Sequence, residues 1–318
     1  MTVREDAVVI SQHRFREWIL DAFWRESSDA LNFVPKTVYL FSSRKKNVLA
    51  RKKKSINRLS PKPILSIHQS SLFLLKEMES LQDIKQHNIL ITHFNSQEEI
   101  GHLIDYCHEN DQVKFLVMNS NTESILLSMG FPRDKVSKIY GAVDKGIYRP
   151  SETMIRGEYI LIAGDCKPRK NPYKVRELVL ANKDLEFVFE SKAWKSIFAD
   201  VEKLHGNISY WENRTTSNGD LYRNASALCN LSFLEGGPIP VLQALASGTP
   251  VLSSDVGFVQ EVLQEDFGQV LNLELGIEEI SDLLKKVALR KRLLSTRDGL
   301  IGNFSWEKLG RNLFTFID

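Results

Sequence analysis

The chain has 318 residues, which at roughly 100–200 residues per domain predicts two domains. Hydrophobic residues at 42% and charged residues at 26% are ordinary for globular chains and exclude disordered, fibrous or collagen-like structure. No run of about 18 apolar residues suggests a membrane span. The acidic start MTVREDAVVIS is unlike a secretory signal. Three scattered cysteines without a CxxC pair argue against a disulfide framework or zinc site, so a reducing cytoplasm is the expected location.

Taken in chain order, short runs rich in Val, Ile and Phe alternate with longer stretches of helical spacing. AVVI (7–10), TVYLF (37–41), PILSI (63–67), NILIT (88–92) and VKFLVM (113–118) read as strands, with helical patterns over 71–81 and 100–110. The polar segment GAVDKGIYRPSETMIRGEY (141–159), with Gly and Pro, reads as a linker. Beyond it YILIAG (159–164), LEFVFE (185–190), ISYW (208–211), ALCNLS (227–232) and PVLSS (250–254) read as a second set of strands. Strands separated by helices imply parallel sheets of βαβ units. The expected architecture is α/β, with two doubly wound Rossmann-like domains, 1–145 and 146–318, facing across a cleft. Such sheets bind ligands at the carboxyl ends of their strands.

Two segments carry the chemistry. In SFLEGGPIPVLQALASGTPVLSSDVG (232–257), a strand ends near Ser232, and Glu235 precedes Gly236, Gly237 and Pro238. A helix with apolar residues Val241, Leu242, Leu245 and Ala246 follows, and Gly248 stops it. Two glycines let backbone approach a ligand, and the free N–H groups of the first helical turn favour an anion such as a diphosphate. In AGDCKPRKNP (163–172), a loop holding Lys167, Arg169 and Lys170 leads into a helix near Pro172, a second arrangement suited to phosphate. Read alone, either segment could equally close a tight connection or decorate an exposed loop.

Together these segments resemble the retaining, group 1 (family four) glycosyltransferases of the GT-B fold. The likeness runs through most of residues 115–315 and includes KVSKIYGAVDKGIYRP, YILIAGDCKPRKNP, the 232–257 segment and NFSWEKLGRNLFTF, which is similar to the family's last helix crossing back to the first domain. The resemblance implies Glu235 at the donor sugar and Lys170 on the donor phosphates. It implies backbone contacts from Gly236, Gly237 and Ile239 to the distal phosphate, and Asn213 in the donor-binding set. Two positions depart from the pattern. Gln243 stands where the family has a ribose-binding Glu, and Asp165 stands where it has an Arg, leaving Arg169 or Lys167 to supply that cation. The family's active-site His falls on His93, with His68 the alternative, and Gln12 and His13 occupy the place of the family's first loop. The implied substrates are a nucleoside-diphosphate sugar and a glycan or lipid-linked acceptor, with no cofactor and no metal. A catalytically silent GT-B subunit and a sugar-nucleotide epimerase are the alternatives.

Charge is uneven. RKKNVLARKKKSINR (44–58) carries eight basic residues and no acid, so removing them from the formal +2 leaves the other 303 residues at −6. Without interleaved aromatics this run does not suggest nucleic acid. A solvated face is one reading; a patch for anionic lipid, through Arg51, Lys52, Lys53 and Lys54, is the other. Four such contacts supply roughly 4 kcal/mol, screened by salt. Co-sedimentation with anionic vesicles at low salt, lost at high salt and on neutral vesicles, is the expected result; equal binding to both lipids reduces the run to a solvated face.

Overall fold

The computed structural model describes residues 8–11, 19–32, 35–39, 63–68, 86–94, 97–150, 157–199, 207–211, 218–290 and 302–314. The chain divides into two compact units, Met1–Gly141 with Trp306–Asp318, and Ala142–Ser305. The expected helix at 71–81, the basic run at 44–58, Gln12, His13 and Asn213 lie outside the described residues.

In the first unit, strands β1 (Val8–Ser11), β2 (Lys36–Tyr39), β3 (Ile64–Ser66), β4 (His87–Ile91), β5 (Val113–Val117) and β6 (Val136–Lys138) form a parallel sheet in the order β2-β1-β3-β4-β5-β6. Helix α1 (Ile19–Ala30) follows β1, while α2 (Gln97–Glu109) and α3 (Ser120–Ser128) flank β5 in the chain. The central strand β4 is buried along its whole length; Ile89, Leu90 and Ile91 supply apolar surface, and its buried polar residues His87 and Asn88 are hydrogen-bonded. Its core includes Ile10, Ile89, Ile91, Phe115 and Val117. Asn119 caps α3 by accepting from Thr122 N at 2.8 Å.

The last helix, α9 (Trp306–Leu313), belongs to this unit. It buries Leu309, Gly310 and Leu313. Trp306 meets Phe23 of α1 edge to face at 6.2 Å, and a side chain at Gly310 would reach within 2.9 Å of Ser27 O, so glycine lets the helices close. Asn88 Nδ2 donates to Leu313 O at 3.0 Å and ties the helix end to β4.

In the second unit, β7 (Tyr159–Ile162), β8 (Phe187–Phe189), β9 (Ile208–Tyr210), β10 (Ala225–Asn230), β11 (Val251–Ser254) and β12 (Gly268–Leu271) are ordered β12-β11-β10-β7-β8-β9, all parallel. Helices α4 (Pro172–Ala181), α5 (Gly219–Arg223), α6 (Ile239–Ala246), α7 (Val259–Val262) and α8 (Ile277–Ala288) accompany them. The core joins Ile160, Phe187, Phe189, Trp194, Leu252 and Leu284. The described part of the expected linker is packed rather than free. Ala142 and Val143 are buried, and Ile147 O accepts from Arg223 Nη2 at 2.8 Å.

A buried polar chain crosses the first unit. Ser66 Oγ lies 2.7 Å from His87 Nε2, and Tyr106 Oη lies 2.8 Å from His87 Nδ1, so the imidazole links β3, β4 and α2. Burial keeps this ring neutral and lowers its pKa from 6.5 to about 3. Between those values the unfolded chain binds a proton that the folded chain refuses. Stability is therefore full above pH 6.5 and falls as the pH drops through the window. Chemical denaturation at pH 7 and pH 5 should show about 2 kcal/mol more acid loss in the native chain than in His87→Gln. Equal losses contradict the assignment.

Candidate active site

The chain runs from β7 outward to β8 and β9, then crosses back to β10 on the other side of β7. Adjacent strands β7 and β10 thus mark the point where strand order reverses, and the loops leaving their carboxyl ends diverge there. Those loops are the two phosphate-type segments read from the sequence.

After β7, Gly164 adopts φ +82°, a left-handed conformation that favours glycine. Its peptide groups are held from two directions: Gly164 N donates to Glu190 Oε2 at 2.7 Å, and Gly164 O accepts from Trp194 Nε1 at 2.8 Å. Glu190 also accepts from Asn218 Nδ2 at 2.8 Å. A short 3-10 turn, Pro168–Lys170, then brings two cations back over the sheet end before α4 starts at Pro172. Lys170 Nζ passes 3.6 Å from the point where a Gly164 Cβ would stand.

After β10 comes Glu235, a buried carboxylate. Its Oε1 accepts from Lys170 Nζ at 2.6 Å, and its Oε2 pairs with Arg169 Nη1. Arg169 further donates to Leu234 O at 3.3 Å, while Arg169 O accepts from Phe233 N at 2.8 Å, lacing the two loops together. Burial alone pushes the Glu235 carboxyl up; the charges and hydrogen bonds of Lys170 and Arg169 outweigh it and hold the pKa below the usual value. Beneath them the Ser232 hydroxyl sits 2.7 Å from Asn230 Oδ1 and 3.1 Å from Glu235 Oε1. Asn230 Nδ2 donates to Ser253 Oγ at 3.0 Å, and Ser254 Oγ donates to Ser232 O at 2.7 Å. This polar ladder across β10 and β11 supports Glu235 from below.

Gly236 and Gly237 lead into α6, and no oxygen of the described residues accepts from the Gly237 or Ile239 N–H. Both groups are therefore open to an anion at the helix N-terminus. Gly257, at φ +60°, lets the loop pass: a Cβ there would lie 2.8 Å from Gly236 O. Helix α6 is buried nearly all round, leaving Pro240 and Gln243 half-buried on one side. Gln243 hydrogen-bonds the Tyr148 hydroxyl, whose pKa is raised by burial and by Glu190 and Asp144. Tyr148 in turn packs edge to face on Tyr222 at 5.4 Å.

The structure thus brings Lys170, Arg169 and Glu235 into direct contact, with Gly236, Gly237 and Ile239 in the same loop and Gln243 one turn further on. Asp165 accepts from Ser191 Oγ at 2.6 Å and takes no part in the cation cluster. Exposed Lys167 lines a neighbouring cavity of about 560 Å³ with Asp165, Cys166, Ser191, Lys192 and Trp211. His93 and His68 belong to the first unit, half-buried just beyond neighbouring strands β4 and β3. His93 Nδ1 lies 3.1 Å from Thr92 Oγ1. Sequence reasoning missed Glu190, Trp194, Tyr148 and Ser232. Only Ser232, three residues before Glu235, gave a local cue.

Residues 160–297, all within the second unit, match the family "Glycosyl transferases group 1". The MMP alpha-(1->4)-mannosyltransferase of Mycolicibacterium hassiacum is 24% identical over 210 residues, covering 61% of this chain and 50% of that protein. The chain therefore matches about half the length of this curated relative. Among solved structures, Anabaena HepE in complex with UDP-glucose aligns at a TM-score of 0.76 with 10% identity, covering 98% of each chain. Sucrose-phosphate synthase from Thermosynechococcus elongatus aligns at 0.74 with 13% identity, again over 98% of each chain. At these identities the likeness establishes the fold, which is GT-B.

The ion cluster makes a stability prediction. Breaking a buried pair by removing one partner costs about 3–5 kcal/mol, because the other charge stays buried. Lys170→Met should approach the lower figure, since Arg169 remains beside Glu235. Adding Glu235→Gln should restore more than half of the loss in a urea titration. A double variant no more stable than Lys170→Met contradicts the buried pairing.

Proposed function

We propose that the chain is a retaining glycosyltransferase that moves a sugar from a nucleoside-diphosphate sugar to a glycan or lipid-linked acceptor, in cell-surface polysaccharide or glycoconjugate synthesis. The observation that carries this reading is the buried contact of Glu235 with Lys170 and Arg169, set beside an open helix N-terminus at the point of strand reversal. Relatives of the same fold support the donor class, since HepE is solved with UDP-glucose and with UDP and glucose.

Chemically, the bond from the sugar's anomeric carbon to the diphosphate oxygen breaks, and negative charge grows on the leaving diphosphate. Lys170 has three ammonium hydrogens, so it can keep Glu235 and still donate to a phosphate. Arg169 and the Gly237 and Ile239 N–H groups add further preorganised donors. In this reading these groups replace a resident metal. The Glu235 carboxylate, held ionised, accepts from hydroxyls of the transferred sugar. The acceptor's proton passes to the departing phosphate oxygen on the same face, so no separate protein base is required. His93 is proposed as the active-site histidine, and Asn213 as a donor-binding residue.

A second reading has specific support: Asp165 provides no cation, and Gln243 is engaged by Tyr148. These departures suit a silent GT-B subunit that serves a partner enzyme. Turnover of a nucleotide sugar by the purified chain alone separates the two. We further propose that the protein works in the cytoplasm, peripheral to the membrane through Arg51–Lys54. No helix of the described residues is long and apolar enough to cross a membrane.

The test is thermal stabilisation by UDP, GDP, ADP and CMP, followed by turnover of the matching nucleotide sugars. A nucleotide at 100 times its Kd should add about 2.7 kcal/mol. Lys170→Met, assayed well below its melting temperature, should lose about 100-fold or more in kcat, the scale of one preorganised donor. Undiminished turnover in that variant, or no stabilisation of the native chain by any nucleotide, overturns the reading.

A further inference from the structure

We propose that Glu190, at the carboxyl end of β8, is the carboxylate that receives the ribose hydroxyls of the donor nucleotide, in place of a carboxylate on α6. The inference rests on the glycosyltransferase reading and assigns the nucleoside end of the donor, which that reading leaves open.

Strand order sets the direction the nucleoside takes. The phosphate grip lies over β7 and β10, and the transferred sugar is given to Glu235, on the β10 side of Lys170. The nucleoside then leaves on the other side of Lys170, past Gly164, where the sheet continues to β8 and β9. The loops at those strand ends leave the hollow of about 560 Å³ lined by Asp165, Ser191, Lys192 and Trp211. The volume is that of an ordinary small-molecule site, and its wall carries a large aromatic ring suited to a flat base.

A base in that hollow puts the ribose between it and the diphosphate, and Glu190 occupies this interval. It directly precedes Ser191 on the wall of the hollow, and its side chain reaches back to Gly164, which Lys170 passes over. The carboxylate is fixed rather than loose: Oε2 accepts from Gly164 N at 2.7 Å, and Oε1 accepts from Asn218 Nδ2 at 2.8 Å. Each carboxylate oxygen can accept two hydrogen bonds, so these contacts orient the group without exhausting its capacity.

Polar side chains from four elements converge around it. Asn218 opens α5, and that helix packs on the backbone beside Tyr148: Gly219 leaves no room for a side chain against Ile147 O, and Arg223 Nη2 donates to the same oxygen at 2.8 Å. Tyr148 in turn holds Gln243 of α6 through its hydroxyl, and the Glu190 charge is felt at that hydroxyl. Glu190, Asn218, Tyr148 and Gln243 are all half-buried. A ribose presents two adjacent hydroxyl donors. An ionised carboxylate answers them with two acceptor oxygens and stronger, charge-assisted bonds, whereas the neutral Gln243 has one acceptor oxygen.

Isothermal titration of the full chain with UDP, GDP, ADP and CMP, each against its 2′,3′-dideoxy analogue, tests this. The nucleotide that binds should do so at least about ten-fold more tightly than its dideoxy form, the scale of one hydrogen bond to a charged group. Glu190→Gln should shrink that ratio to roughly three-fold or less, the scale of a weak neutral hydrogen bond. The same variant should leave the affinities for the dideoxy form and for inorganic pyrophosphate unchanged. Glu190→Asp, which keeps the charge at the same strand end, should retain a larger ratio than Glu190→Gln. Equal loss of ribose and dideoxy forms in Glu190→Gln would mean that Glu190 only holds the Gly164 turn, and overturns the assignment. An unchanged ratio in that variant, or no preference in the native chain, overturns it as well. Failure of the donor reading shows separately, as no binding of any of the four nucleotides to the native chain, and takes this assignment with it.

Discussion

The second unit is organised around one buried carboxylate. Taking an ionised Glu out of water costs several kcal/mol, and Glu235 is tolerated because Lys170 and Arg169 reach it from a loop 65 residues away. That requirement dictates much of the surrounding backbone. The β7 loop must turn sharply at Gly164 to return Lys170 over the sheet, and Glu190 and Trp194 hold that turn from both sides. The β10 loop must leave the sheet over the Asn230–Ser232–Ser253–Ser254 ladder. Gly257 must stay small for the glycine loop to pass. A cluster of net charge +1 results, beside two open backbone donors, and it suits a ligand with more than one negative charge.

Much of this was legible in the order of residues, for physical reasons. Buried parallel strands need continuous apolar runs, and segments such as YILI and VLSS announced themselves. The glycine loop and α6 were legible because Gly-Gly-Pro before an apolar helix and Gly after it have few other conformational uses. Two strands were not. β6 (VSK) and β12 (GQVL) lie at sheet edges, where one side needs no partner and polar residues are tolerated, so neither shows a strong apolar run. The support for Gly164 was also hidden, because Glu190 and Trp194 are 26 and 30 residues away and only the β7–β8 pairing brings them close. The link from Gln243 to Tyr148 spans the segment read as a linker, which is packed onto the second unit as far as it is described.

The two departures from the family pattern are reconciled by local partners rather than left as gaps. Asp165 is a hydrogen-bond acceptor for Ser191 and leaves the cationic role to Arg169, four residues on. Gln243 is neutral, so α6 carries no second carboxylate near the Glu235 cluster; the acids that act on Tyr148 are Glu190 and Asp144. The positive balance of the Lys170–Arg169–Glu235 cluster therefore survives both substitutions.

The most direct measurement is a crystal structure of the full chain with a bound nucleoside diphosphate. The account predicts phosphate oxygens within hydrogen-bond distance of Lys170 Nζ and of the Gly237 or Ile239 N–H, with Glu235 still in contact with Lys170. Phosphates bound away from this loop, with the Glu235 cluster untouched, would contradict it.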